Sequence, residues 1–92
     1  MANVILTLKV MPENPSIDLT TLEDNVKKEI KAFAGETETK KEVEEVAFGI
    51  KALKITFVMD EDKGSTEALE NKIKEIDGVS SVDVVDVRRA VG

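Results

Sequence analysis

Apolar residues recur along this chain at two different periods, and the switching between them predicts its elements. Val4, Leu6, Leu8 and Val10 occupy alternate positions with Thr7 and Lys9 between them, so Val4–Met11 reads as a strand with one face on a core. Met11-Pro12-Glu13-Asn14-Pro15 interrupts it, because proline brings no N–H to a strand ladder and turns the residue before it away from helix. Asp18 is suited to capping a helix, and Leu19, Leu22, Val26, Ile30 and Phe33 then return every three or four residues. This spacing predicts a helix from about Leu19 to Ala34, with Gly35 as its stop. Glu36–Glu45 is charged and carries Thr and Val; it reads as a loop leading into a strand that includes Val43–Phe48. Val43 and Val46 are three apart, which breaks the period of two, so a bulge or a short partial strand is expected there, and Gly49 marks a turn.

Leu53, Ile55, Phe57 and Met59 alternate with Lys54, Thr56 and Val58, an amphipathic strand. Asp60-Glu61-Asp62-Lys63-Gly64 is a polar turn, after which Ser65 can cap a helix with Leu69, Ile73 and Ile76 on its inner face. Gly78 is expected to end that helix as its C′ residue, and the valine-rich stretch Val79–Val87 suits a last strand. The order β-α-β-β-α-β predicts an α+β, ferredoxin-like domain over residues 1–92: a four-stranded antiparallel sheet with both helices on one face.

Composition narrows what such a domain can do. There is no cysteine and no histidine, so disulfides, thiolate metal sites and imidazole general bases are all excluded. The net charge of −6 argues against generic nucleic-acid binding, whose affinity comes from Lys and Arg neutralising phosphates, and points instead to a basic protein surface. No apolar run approaches the roughly 20 residues of a membrane span, and Met1-Ala2-Asn3 does not open a signal peptide, so a cytoplasmic protein that makes no membrane contact is expected.

Candidate chemistry is sparse. Asp60, Glu61 and Asp62 lack the spacing of a calcium loop and read as a solvated turn before a helix N-terminus, where acidic residues are favoured. A phosphate-cradling loop between the first strand and the first helix would need glycines and an arginine, but Met11–Ser16 offers two prolines and an acid. An RNA-binding sheet would need exposed aromatics; the first strand has none, and Phe57 shares the core-facing parity of Leu53, Ile55 and Met59. Two features stand out from this background. Phe48, beside Gly49 at an expected turn, is either a lid on the core or a contact for a partner, and pattern alone favours the core. Arg88-Arg89 is a basic pair at the end of an acidic chain, followed by the apolar Ala90 and Val91.

Ala47-Phe48-Gly49-Ile50-Lys51-Ala52-Leu53-Lys54-Ile55, followed by Met59-Asp60-Glu61-Asp62-Lys63, resembles the exchange domain of the translation elongation factor 1-beta family, in its short archaeal form. The likeness extends from Val4-Ile5-Leu6-Thr7-Leu8-Lys9-Val10-Met11-Pro12 through Val82-Asp83-Val84 to the arginine pair, essentially the whole chain. The resemblance implies a guanine nucleotide exchange factor that binds the GTPase elongation factor 1-alpha and speeds GDP release. It implies no cofactor, no covalent chemistry and a monomer when free. The family's partner-inserting phenylalanine falls on Phe48 and its tail lysine, which reaches toward the GTPase magnesium site, on Arg89, where arginine replaces it, with Arg88 as the alternative. Beside this stand two other readings: a small metabolite-binding or protein-interaction domain, and, further off, an acyl-phosphate hydrolase.

Overall fold

Strand β1 (Asn3–Pro12) lies in the middle of the sheet and its alternation organises everything around it. In the computed structural model, which describes residues 3–35, 38–47, 49–61 and 66–89, the elements follow as α1 (Leu19–Ala34), β2 (Thr39–Ala47), β3 (Ile50–Asp60), α2 (Glu67–Lys74) and β4 (Val79–Arg89). The four strands form one antiparallel sheet in the order β2-β3-β1-β4, the ferredoxin-like arrangement expected from the element order.

On β1 the side chains of Leu6, Leu8 and Val10 are buried, opposite Phe57, Ile55 and Leu53 of β3, and Val4 pairs with Met59. These residues join Leu22, Val26 and Ile30 of α1 and Leu69 and Ile73 of α2 in one cluster, so both helices cover the same face. The opposite face carries Ile5, Thr7 and Lys9 against Val58, Thr56 and Lys54, with the hydroxyls of Thr7 and Thr56 hydrogen-bonded at 2.9 Å. The helix α1 has the bounds that its periodicity predicts. The Asp18 carboxylate accepts from the Thr20 amide at 3.0 Å and from the Thr21 hydroxyl at 3.1 Å, and Gly35 (φ 81°) closes the helix by donating its N–H to Lys31 O.

Four expectations need correction. Strand β2 begins at Thr39, inside the stretch expected to be loop. Its helix-side residues include Lys41 and Glu45 and its other side Lys40, Glu42 and Glu44, so it is polar on both faces and carries no period-two signal. Of the two alternatives for Val43–Val46, the bulge is present: Glu45 pairs with Lys51 and Ala47 with Ile50, leaving Val46 as the extra residue. Helix α2 stops at Lys74, with Glu75 as its C-cap, because Glu75 and Ile76 donate to the carbonyls three residues back and tighten the last turn. Gly78 is therefore not its C′ residue. It sits before β4 at φ 94°, its carbonyl accepts the Glu13 amide at 2.9 Å, and a Cβ there would lie 3.1 Å from Ile17 Cδ1. The cap of α2 falls on Thr66, whose hydroxyl donates to Glu70 at 3.1 Å; Ser65 lies outside the described residues. Last, β4 runs on to Arg89, because β1 still offers Ile5 and Val4 as partners for Arg88 and Arg89. The arginine pair belongs to the sheet rather than following it.

Strand β2 is held by charge where apolar cover runs out. Glu23 of α1, almost buried, accepts from Lys27 at 2.6 Å and from Lys41 of β2 at 3.0 Å. On the other face Glu44 lies between Lys54 at 3.2 Å and Lys9 at 3.6 Å, tying β2 to β3 and β1. The hydrogen bond from Lys27 holds the Glu23 carboxyl below its ordinary range, with burial opposing and Lys41 assisting. Lys54 does the same for Glu44.

Two outcomes are expected. Phe57 is fully buried at the centre of the cluster, so Phe57→Ala should lower stability by about 3–5 kcal/mol in urea unfolding. Because the folded-state pKa of Glu23 lies below its ordinary 4.5, its clamp contributes fully above that pH and fades as pH falls through the folded value. Urea midpoints of the parent and of Glu23→Gln, measured from pH 7 to pH 3, should therefore converge toward the acid end.

Candidate functional site

The two arginines at the end of β4 point to opposite faces of the sheet. Arg88 pairs with Ile5 and shares the uncovered face with Lys9 and Thr7; Arg89 pairs with Val4 and shares the helix side with Leu6 and Leu8. Each is met by a carboxylate. Arg88 Nε donates to Asp86 Oδ2 at 3.0 Å, two residues back on the same strand face, and Arg89 Nη2 donates to Glu61 Oε2 at 2.7 Å. Both side chains stay open to solvent, with 75% and 71% of their surface exposed, so the carboxylates orient them without enclosing them.

The other candidate belongs to the far end of the sheet. Ala47 pairs with Ile50, so two residues connect β2 to β3; Gly49, at φ 78°, is one of them, and Phe48 lies outside the described residues. Arg89 is level with Val4, and Val4 with Met59, which stands ten residues along β3 from Gly49. At the rise of an extended strand this is roughly 33 Å. The molecule, 42 Å along its longest axis, carries its arginine pair at one end and its β2–β3 turn at the other. Sequence position gave no hint of this separation, because it follows from strand order.

Beside Gly49 is an open cleft of about 240 Å³ lined by Pro12, Asn14, Pro15, Ile17, Leu19, Gly49 and Lys51. The proline-rich loop that interrupts β1 forms one wall, with Ser16 N–H donating to Asn14 Oδ1 at 2.9 Å to shape the turn. The cleft is smaller than the roughly 300–1,000 Å³ that usually encloses a small-molecule ligand. Among the described residues no group of three or more Asp and Glu side chains converges as cation ligands. Reading the sequence missed one participant, Glu61. In the sequence it reads as part of a solvated turn before α2, whereas its carboxylate reaches back over the sheet to Arg89; the available signal is an acid at the close of a strand in a chain that also ends a strand on arginine.

The EF-1 guanine nucleotide exchange domain matches residues 5–90 of this chain, which takes in both helices, three whole strands and all but the first two residues of β1. The chain belongs to that family. Elongation factor 1-beta of Methanosphaera stadtmanae is 43% identical over 89 residues, covering 97% of this chain and 98% of the relative. The same-named proteins of Methanothermobacter thermautotrophicus and Halobacterium salinarum are 40% and 42% identical over 97% of the chain. Among solved structures, the de novo designed protein Foldit4 superposes with a TM-score of 0.62 over 98% of both chains at 17% identity, a likeness of fold alone. The exchange domain thus has a sheet whose arginine pair and whose hairpin turn are at opposite ends. As for membranes, no helix among the described residues is long and apolar enough to cross one.

Proposed function

We propose that this exchange factor of translation elongation accelerates GDP release from elongation factor 1-alpha by holding the GTPase at two points, the arginine end and the hairpin end of its sheet. The observation that carries the reading is the exchange-domain match across nearly the whole chain. The separation of roughly 33 Å between the ends supports a partner large enough to span the sheet rather than a small ligand. The cleft beside Gly49 is itself small for an enclosed metabolite.

At the arginine end, Arg89 is the cation that approaches the GTPase magnesium site, with Arg88 presented on the other face. Mg²⁺ bound to a nucleotide keeps several waters and few protein ligands, and it neutralises much of the phosphate charge. A guanidinium brought close competes with it electrostatically and loosens GDP. At the hairpin end, Phe48 packs into the partner, and the wall of Pro12, Pro15, Ile17 and Leu19 widens that contact. Coupling between two binding events is reciprocal, so nucleotide weakens the factor's hold on the GTPase as much as the factor weakens nucleotide. No bond in the factor is made or broken. It works in the cytoplasm, as a monomer when free, and makes no direct contact with nucleic acid.

The test is release of a fluorescent GDP analogue from archaeal elongation factor 1-alpha. Substoichiometric amounts of the chain should speed release. Arg89→Ala should cut the maximal rate by about 30-fold, the effect of losing an interaction of about 2 kcal/mol, while Phe48→Ala should chiefly raise the half-saturating concentration. Full activity of Arg89→Ala would move the role to Arg88, and no acceleration by the parent would end the exchange reading.

A further inference from the structure

The geometry points to Glu61 as a positioning residue that holds Arg89 in a sheet-crossing pose for the GTPase. The inference rests on the proposed role of Arg89. Strands β3 and β4 flank β1, so their axes are about 10 Å apart, and Glu61 follows the last residue of β3 while Arg89 ends β4. For the two to meet at 2.7 Å, the arginine must extend over Val4 on the helix side of the sheet. A bond this short is at the strong end for a charged donor and acceptor.

An unrestrained arginine at the end of an edge strand explores many rotamers, and a partner must select one of them on binding. Glu61 makes that selection beforehand. Nη2 is the atom it engages, so the remaining edge of the fork and most of the side-chain surface stay presented outward, 71% exposed. The strand register puts the two arginines on opposite faces, and a different carboxylate meets each there: Asp86 for Arg88 on the uncovered face and Glu61 for Arg89 on the other. A brake that hides the cation would have the opposite consequence, because removing it would accelerate exchange.

The experiment measures saturating exchange rates for the parent, Glu61→Ala, Glu61→Gln, Arg89→Ala and the double variant Glu61→Ala/Arg89→Ala, with melting temperatures for each. Glu61→Ala should slow exchange by about two- to five-fold, the range for an exposed ion pair. Glu61→Gln, which drops the charge but keeps an acceptor for Nη2, should recover most of that loss. Glu61→Ala should change nothing further when Arg89 is already alanine, with the melting temperature steady throughout, since a residue acting through Arg89 has no other route. Faster exchange in Glu61→Ala and Glu61→Gln, or an unchanged rate while Arg89→Ala is slow, would overturn the positioning role and leave the exchange reading intact. If Arg89→Ala itself exchanges at the parental rate, both the role of Arg89 and that of Glu61 are overturned.

Discussion

The constraint on which the rest depends is the parity of β1. With β3 on one side and β4 on the other, each β1 residue assigns a face to two partners at once, and the burial of Leu6, Leu8 and Val10 makes that assignment unambiguous. A slip of one residue would turn the whole apolar set into water, so the register is fixed by the core rather than by the hairpins. From it follow the position of both helices, the polar ladder of Thr7, Lys9, Thr56 and Lys54 on the other face, and the opposed directions of the two arginines.

Elements with an apolar contrast were legible in the sequence. The first helix, the strand through Phe57 and the β-α-β-β-α-β order follow from spacing, because burial on one face leaves a periodic trace. Strand β2 left none: at the sheet margin its backbone ladder with β3 is supplemented by Lys41 to Glu23 and by Glu44 to Lys9 and Lys54, and ion pairs between distant segments have no period. Gly78 was recognisable as a special position, but its reason lies in the approach of Ile17 and the bond to Glu13, contacts made only after folding. Of the candidate site, the residue types were legible through the motif around Gly49 and the arginine pair. Their separation along the sheet and the contact of Glu61 with Arg89 were not, since both depend on which strands flank β1.

The division of labour between apolar and charged cohesion also has a spatial logic. The central strands are secured by burial, which salt does not screen, while β2 adds to its ladder with β3 a set of charge pairs at or near the surface, which salt and acid weaken. The end of the sheet that carries the arginine pair rests on the central pair β1 and β3, with β4 added along β1. The backbone positions of the two arginines thus depend on the buried core, while the pose of each side chain depends on an exposed ion pair.

The pairing of β4 with β1 shifts by one residue between Thr7 and Leu8, where Val85 has no partner. Up to Val84, β4 follows the register of Leu8 and Val10; past Val85 it follows a register offset by one. Were Val85 paired with Thr7 instead of left out of the ladder, Arg88 would stand opposite Val4 and Arg89 opposite Asn3, and the two side chains would trade sides of the sheet. One bulge, at a valine that is itself half exposed, therefore works as a polarity selector for this end of the molecule: whether Val85 is paired or skipped, more than the identity of the last residues, decides which arginine meets which surface.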